Sequence, residues 1–477
     1  MKQHCLLKLA LVLAISAWTV KGATLGRPAA PAKAGPTITL TPQLKAFVKA
    51  KEAQARADTQ AAGDTVSPDV WAYFAAAGQG KWDETSRLWA SLAERCGQYA
   101  SSTNRKSGTD LSVRNAAWQP LLEVDLAVRA FAYGEPKFAE AFGLGIIESI
   151  PPGALYFGGT DPGRGLVTAL CKSHVNGEPF FTLTQNALAD GTYLAYLRRM
   201  YGSKLYIPTA EDSEKTFNDY LSDAQRRLEH DRRASREPKQ LKPGEDVRMK
   251  DNKVEVSGQV AVMSINALLT KIIFDKNPER EFYLEESFPL DWMFPHLTPH
   301  GLIMKINRQP LAALPENDVL QDRTFWTKQV QRYLGDWLTY DTPVTKVCAF
   351  VEQVFGEKEP GSFHCDPQFV KDDDACREFS KLRSSIAGVY AWRLNNTKAG
   401  ADRERMANEA DFAFRQAFAL CPYSPEALYR YVNLLLTRGR ADDALTLAET
   451  AHKLDPDNAQ VEQFRQQVAR MAAQKSH

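Results

Sequence analysis

The strongest constraint on how this chain folds is a pattern near its C-terminal end that recurs after about 34 residues. Small residues at regular intervals let two helices approach closely, and a proline cannot continue a helix. The pattern therefore predicts stacked helical hairpins over residues 381–477. In the earlier copy the matching positions are Ala410, Phe414, Ala417 and Pro422, and in the later copy they are Ala444, Ala448, Ala451 and Pro456.

This pattern resembles the tetratricopeptide repeat. The partner helix of the earlier repeat lies around residues 382–394 and is displaced by an insertion near 395–405. A further helix, 459–473, has the polar outer face expected of a cap that ends a stack. The resemblance implies a concave surface for a protein or peptide partner. It assigns packing roles to Leu428, Tyr431, Gly439, Ala444, Ala451 and Pro456.

Composition excludes some classes of function. The chain has 477 residues, which allows two or three domains, and 44% of them are hydrophobic. Fifty-nine Lys and Arg residues against 58 Asp and Glu residues give a formal net charge of +1. Such a balance offers no electrostatic case for binding nucleic acid or an anionic membrane.

Residues 1–23 have the order of features found in a secretory signal peptide. Lys2 and Lys8 precede an apolar run over 9–18, and Val20 and Gly22 occupy the positions that a signal peptidase reads. We expect cleavage close to Ala23 and a periplasmic or secreted protein, although an uncleaved anchor or a buried helix remains an alternative. Residues 24–66 are predicted to hold a Pro/Ala-rich linker and a first helix. No later segment is apolar for long enough to cross a bilayer.

Six cysteines remain once Cys5 is removed with the signal peptide, an even number that is compatible with an oxidising compartment. Cys365 and Cys376 are the pair that the sequence brings close together. A disulfide and two free thiols are both open at this stage. A metal site is the weaker alternative, because His364 with two cysteines supplies fewer than four ligands.

The remaining sequence predicts a mixed fold, in which mainly α-helical hairpins flank a small, largely parallel α/β domain. Apolar periodicity predicts hairpins over 67–150, and a helical connector is expected over 311–380. The central α/β domain covers 151–310 and carries a charged insert at 209–256. Its strands are predicted at 154–158, 180–185, 281–286 and 301–306, its helices at 166–175 and 258–275, and its turn-rich segment at 287–300. Within the insert, a charged helix over 214–236 precedes a β-hairpin over 247–256.

The central region, from about 147 to 308, resembles the soluble portion of bacterial protein O-mannosyltransferase-like membrane proteins. The residues that carry the resemblance are 149–161 (SIPPGALYFGGTD), 193–201 (YLAYLRRMY), 276–284 (KNPEREFYL) and 297–303 (LTPHGLI). In that family the membrane domain is expected to perform glycosyl transfer, and this sequence shows no counterpart of it. The resemblance implies a sensing, docking or scaffold module, and no catalytic residue can be transferred to this chain.

Residues 158–165 (GGTDPGRG) lie between a predicted strand and a predicted helix, where backbone N–H groups can hold an anion. The segment departs from a phosphate loop because Arg164 replaces the lysine and Gly165 lacks the hydroxyl that would bind Mg²⁺. Binding of an anion or a sugar and a plain turn are the alternatives. A plain turn predicts that alanine at Asp161 or Arg164 changes stability by less than about 1 kcal/mol, as at surface positions.

A parallel sheet would bring several polar residues to one rim, which is where open α/β sheets bind ligands. The candidate ligand-binding residues are Asp161, Arg164, Asn186, Asp190 and Glu285, with Glu286 and Ser287 beside them. No catalytic residue, metal site or cofactor is predicted. We expect an exported protein-binding or scaffold protein. The alternative is an envelope enzyme or ligand-binding protein that acts on a glycan or phosphorylated ligand at this rim.

Overall fold

The computed structural model describes residues 40–97, 109–159, 162–233, 238–250, 253–285, 289–357, 361 and 363–474. Within these residues the chain forms two compact units. The first unit contains 40–210 and 273–285, and the second contains 211–272 and 286–474. The predicted signal peptide, Asp161, Glu286 and Ser287 lie outside the described residues.

Helices make up the beginning of the first unit. They are α1 (Pro42–Ala62), α2 (Pro68–Gly78), α3 (Trp82–Cys96), α4 (Trp118–Tyr133) and α5 (Pro136–Ser149). The Thr41 hydroxyl accepts a hydrogen bond from the backbone N–H of Leu44 and caps α1, and Pro42 occupies its first turn. The helical hairpins predicted between 67 and 150 are confirmed.

Strands and helices alternate in the central part of the chain, as predicted. They are β1 (Leu155–Gly158), α6 (Pro162–Leu170), β2 (Phe181–Thr184), α7 (Gly191–Tyr201), α8 (Ala210–Arg233), β3 (Asp246–Lys250), β4 (Lys253–Ser257), α9 (Gln259–Lys276) and β5 (Phe282–Leu284). Strand β1 pairs in parallel with both β2 and β5, and all three are buried. Helix α6 begins four residues before the predicted helix at 166–175 because Pro162 starts its first turn.

The charged insert builds a small core of its own in the second unit. Strands β3 and β4 form the predicted antiparallel hairpin. Tyr220, Ala224 and Leu228 recur at helical spacing along α8 and pack with Val247 of β3 and Ala261 of α9. The Arg227 guanidinium also pairs with the carboxylate of Glu245. The insert therefore buries one face of a charged helix.

The predicted turn-rich segment at 287–300 contains a strand that the sequence analysis missed. Strand β6 (Leu297–His300) pairs antiparallel with β7 (Ile303–Ile306). The prediction of a largely parallel sheet is correct for β1, β2 and β5, whereas β6 and β7 pair antiparallel. Pro299 lies within β6, and proline has a low strand propensity. The sequence analysis therefore did not predict this strand.

The second unit continues with helices up to residue 473. They are α10 (Glu316–Leu334), α11 (Val344–Val351), α12 (Pro367–Lys371), α13 (Asp373–Asn396), α14 (Ala401–Leu420), α15 (Pro425–Thr437), α16 (Ala441–Leu454) and α17 (Ala459–Ala473). A single π-helical turn, Glu352–Gly356, extends α11. The predicted fold class, a mixed fold of mainly α-helical hairpins with a small α/β domain, is confirmed.

Candidate functional site

Glu123 of α4 lies at the centre of a buried cluster of charges in the first unit. Its Oε1 is 2.7 Å from Nη2 of Arg164 and 2.5 Å from Nδ1 of His174, and its Oε2 is 2.6 Å from Nζ of Lys51. Side-chain exposure is 1% for Arg164 and 0% for the other three. One carboxylate thus joins α1, α4, α6 and the segment that follows α6.

Further hydrogen bonds surround these charges, although Nε of Arg164 has no hydrogen-bond partner among the described residues. Nζ of Lys51 also donates to the backbone carbonyl of His174 at 2.6 Å and to Oε1 of Gln54 at 3.0 Å. The Tyr196 hydroxyl donates to Oε2 of Glu123 at 3.1 Å. Nε2 of His174 lies 2.6 Å from the carbonyl of Thr182, so both ring nitrogens face acceptors. Buried charges persist only with such partners.

Burial and pairing shift the pKa values of the cluster in opposite directions. Burial alone would raise the pKa of Glu123, yet His174, Lys51 and Arg164 hold it well below its usual range. Burial lowers the pKa of Lys51, and pairing with Glu123 opposes that effect. Burial would lower the pKa of Arg164 as well, but Glu123 raises it above its usual range. The Glu123 carboxylate and the Arg164 guanidinium are therefore both charged near neutral pH.

Arg164 corrects the interpretation of the glycine-rich segment at 158–165. Its guanidinium points into the cluster and pairs with Glu123, so it does not offer a charge to an anion at the loop. The expected small change in stability assumed a surface position, and that assumption is wrong because the Arg164 side chain is buried. Sequence reasoning missed the cluster because Lys51 and Glu123 lie far from Arg164 and His174 along the chain.

Glu285 holds the glycine-rich segment from inside. Its Oε2 accepts a hydrogen bond from the backbone N–H of Gly159 at 2.8 Å, and its side chain is buried. A Cβ atom on Gly163 would lie 2.1 Å from the same oxygen, so a larger residue there would displace the Glu285 carboxylate. The Tyr156 hydroxyl donates to the carbonyl of Gly163 at 2.9 Å. A carboxylate therefore occupies the inner side of this loop, an unfavourable setting for an incoming anion.

The two other described candidates of the rim lie beside β2. Asp190 caps α7, because its Oδ1 accepts hydrogen bonds from the backbone N–H of Thr192 at 2.9 Å and from the Thr192 hydroxyl at 2.8 Å. Arg114 approaches the same oxygen at 3.7 Å. Asn186 lies in a 3₁₀ turn, Gln185–Ala187, directly after β2. Both residues follow the carboxyl end of the parallel strand β2. Asp190 has a structural role as a helix cap.

The six cysteines within the described residues are free thiols in the structure. Cys365 is half-buried before α12, and Cys376 is buried in the first turn of α13, where its thiol donates to the carbonyl of Phe369 at 3.1 Å. The structure contains no bond between Cys365 and Cys376, and the choice between a disulfide and free thiols stays a prediction.

The residues of the 34-residue pattern stand where α15 and α16 pack. Leu428, Tyr431, Ala444 and Ala451 are buried, whereas Pro456 is exposed just beyond α16. Gly439 takes a φ of +81° in the turn between the two helices, a conformation that favours glycine. The aromatic rings of Phe414 and Tyr431 stack at 6.0 Å, which joins α14 to α15.

A polar contact joins the two hairpins at Asp411 of α14. Its Oδ1 accepts a hydrogen bond from the Tyr431 hydroxyl at 3.0 Å and from Nη1 of Arg440 at 2.8 Å. Its Oδ2 is 3.0 Å from Nη2 of Arg415. The carboxylate thus fixes the register of α15 against α14.

One face of α13 is covered by the segment that precedes it. Nη1 of Arg393 donates to the carbonyl of Leu311 at 2.6 Å, and Nη2 donates to the carbonyl of Pro295 at 2.7 Å. Trp392 stacks on Phe294 at 5.7 Å. Helix α13 is consequently buried along most of its length.

Helices α10 and α11 cover further sides of the hairpins. The buried Arg383 of α13 pairs with Asp322 of α10 at 2.8 Å, and the Tyr390 hydroxyl donates to the same carboxylate at 2.7 Å. On α16, the Thr450 hydroxyl and Nζ of Lys453 bond Oε1 of Glu352, at 3.0 Å and 2.9 Å. The predicted helical connector is therefore wrapped around the stack.

Helices α15 and α17 keep an accessible polar face. The rings of Tyr429 and Phe464 meet edge to face at 4.2 Å and bring the two helices together. Residues one turn before and after this contact are exposed or half-exposed: Glu426 and Asn433 on α15, and Gln460 and Gln467 on α17. We call these four residues the open strip.

Comparison with protein families identifies this part of the chain. Residues 403–468 match the tetratricopeptide repeat family. The match runs from α14 into α17 and confirms the resemblance that the 34-residue pattern predicted. No curated protein and no solved structure matches the chain, so the resemblance of the central region to O-mannosyltransferase-like proteins has no support from these comparisons.

The tetratricopeptide repeats give the chain a surface for protein interaction or a scaffold role. The burial of α13 was not predictable from the sequence, because it depends on segments around Pro295 and Leu311 that lie outside the repeat.

Among the residues that the structure describes, no group of three or more side chains could hold a metal ion. None of the described helices is both long and apolar enough to span a membrane.

Proposed function

We propose that this protein is an exported scaffold that binds a protein partner through the open strip of its tetratricopeptide repeats. The observation that supports this most directly is a difference in exposure. Other parts of the chain bury the surface of α13, whereas α15 and α17 keep an exposed polar face. The chain covers α13 with its own residues, whereas the open strip remains accessible.

The chemistry of the open strip suits an extended peptide. Each Asn and Gln side chain carries both donors and an acceptor, which match the backbone groups of an extended segment. Asn433, Gln460 and Gln467 supply three such amides, and Glu426 adds one carboxylate. Tyr429 and Phe464 form the floor between them. A partner would therefore bind mainly through its main chain, with a modest preference for a nearby basic side chain.

Site-specific photocrosslinking tests this proposal. A photoreactive residue at Asn433 or Gln467 should capture a discrete partner from envelope extract, and the same residue at the exposed Glu449 of α16 should not. The partner captured by the Gln467 probe should be lost when Asn433 is also changed to alanine. Equal capture from Glu449, or capture that is insensitive to Asn433→Ala, would contradict binding at the open strip.

Export is a separate part of the proposal. It rests on the order of basic, apolar and small residues over 1–23. N-terminal sequencing of the natural protein should begin close to Ala23. Recovery of Met1 on a cytoplasmic pool would refute export and leave the binding proposal unaffected.

Ligand binding at the sheet rim is the competing function. Arg164, Asp190 and Glu285 each bond to the protein itself, so we expect no thermal stabilisation from nucleotides, sugar phosphates or nucleotide sugars. A saturable rise in melting temperature with any of these would favour the ligand-binding function over the scaffold.

A further inference from the structure

Two buried cysteines lie at the same end of the hairpin that α13 and α14 form. Cys376 is in the first turn of α13, and Cys421 follows the last residue of α14. They are 2% and 4% exposed. Because a short connection joins the two helices, they run antiparallel, and the start of α13 lies beside the end of α14.

Hydrogen bonds between the helices fix their register. The Ser380 hydroxyl of α13 donates to the backbone carbonyl of Ala417 at 2.7 Å. The same carbonyl accepts the backbone N–H of Cys421 at 3.2 Å. Cys376 precedes Ser380 by one helical turn and therefore shares its face of α13. The register thus places Cys376 opposite Cys421.

The helices also approach closely at this level. A serine side chain is short, so its bond to a main-chain carbonyl of the neighbouring helix requires the two backbones to be near each other. A disulfide needs Cα atoms within about 4.4–6.8 Å. Burial raises the pKa of the Cys376 thiol, and the nearby Cys421 thiol raises it further, which agrees with their proximity.

We propose that Cys376 and Cys421 form a disulfide bond when the chain folds in an oxidising compartment. Two thiols lose two protons and two electrons as the S–S bond forms. A disulfide donor accepts them by thiol–disulfide exchange and leaves as two thiols. The bond closes a loop that contains most of α13 and all of α14, and it ties the first helical hairpin of the repeat region together.

The burial of both sulfurs determines when this reaction occurs. The attacking species is a thiolate, and burial raises the pKa of Cys376 and that of Cys421, the latter to about 12. The bond therefore forms during folding, when the helices have come together but a disulfide donor can still reach the two thiols. Once formed, it is shielded from reductants until the hairpin opens.

Refolding with defined thiols tests the bond without relying on export. The reduced, unfolded chain is refolded with reduced and oxidised glutathione, alkylated, digested and mapped by mass spectrometry. We expect a linked pair of peptides that contain Cys376 and Cys421, and an alkylated Cys348. Alkylation of both cysteines, or a link between Cys376 and Cys365, would overturn the proposal. A second measurement applies the same alkylation and mass spectrometry to protein that was exported and folded in an expression host.

Matched variants show whether the pair acts as a unit. Oxidised wild-type protein should melt at a higher temperature than reduced protein, because the bond limits the unfolded chain. Cys376→Ala and Cys421→Ala should each abolish this difference, and Cys348→Ala and Cys365→Ala should retain it. A difference that survives in Cys421→Ala would refute the bond. The scaffold proposal depends on the open strip and stands or fails separately.

Discussion

The first unit and the tetratricopeptide repeats hold their helices together by different chemistry. In the first unit, α1, α4 and α6 converge on the single carboxylate of Glu123, which is fully buried. In the repeats, small and apolar residues such as Ala444 and Ala451 fill the space between helices. The first arrangement concentrates its stability in one residue, whereas the second distributes it over many.

The largest expected effect comes from Glu123→Gln. The substitution keeps the size of the side chain but leaves Lys51 and Arg164 buried without a counter-charge. Loss of one partner of a buried pair costs about 3–5 kcal/mol of the free energy of unfolding. Urea denaturation measures it, with Glu52→Gln as the control. Glu52 pairs with Arg56 on the surface of α1, where an ion pair contributes about 1 kcal/mol or less. Similar losses in both variants would contradict the central role of Glu123.

The second prediction concerns Asp125, which lies on the same helix as Glu123 but has a pKa shifted in the opposite direction. Burial raises its pKa to about 6, although Arg129 and the Tyr73 hydroxyl partly offset this. The folded state therefore binds more protons than the unfolded state between about pH 4 and pH 6, and this group's contribution to stability falls as pH rises through that window. Two pKa units correspond to at most about 3 kcal/mol.

Denaturation of wild-type protein and Asp125→Asn at pH 4.5 and pH 7 measures this contribution. Between pH 7 and pH 4.5, the free energy of unfolding of the wild type should increase relative to that of the variant. A constant difference between the two proteins would show that Asp125 titrates alike in both states.

Ala444→Trp tests the distributed packing of the repeats. The extra volume has no space where α15 and α16 cross, so overpacking should cost about 1–3 kcal/mol. Ala473→Trp, at an exposed position near the end of α17, is the matched control. An unchanged melting temperature of Ala444→Trp would mean that the assignment of the repeat positions is wrong.

The smallest expected effect is that of Asp190→Ala. Loss of the cap of α7 should cost about 1 kcal/mol of the free energy of unfolding. Asp190→Asn should retain most of the stability, because the amide oxygen can accept the same bond. A loss in both variants that is well above about 1 kcal/mol would indicate a role for the carboxylate charge of Asp190.

The sequence predicted much of the local structure. The helical hairpins before residue 150, strands β1, β2, β5 and β7 and the hairpin of β3 and β4 follow from apolar periodicity and turn residues. Strand β6 escaped prediction because Pro299 lowers its strand propensity. The start of α6 was misplaced because the glycine-rich segment was interpreted as a loop up to Gly165, whereas Pro162 already begins the helix.

The candidate site was less predictable. The residue types at the carboxyl ends of β1 and β2 were identified, but their partners were not. Asp190 bonds with Thr192, two residues away, and such a local cap can be inferred from sequence. Arg164 bonds with Glu123, and no local pattern connects residues so far apart.

The sequence by itself determined the tetratricopeptide repeats, since a repeat carries its packing surface at fixed intervals and needs only its neighbours to form. Tertiary structure decided which polar residues are buried together and which repeat surfaces stay accessible. Glu123, Lys51 and His174 meet only when segments that are distant in the chain come together. The cover of α13 by Pro295 and Leu311 arises in the same way. Burial and long-range pairing depend on the whole folded chain, and no short window of residues encodes them.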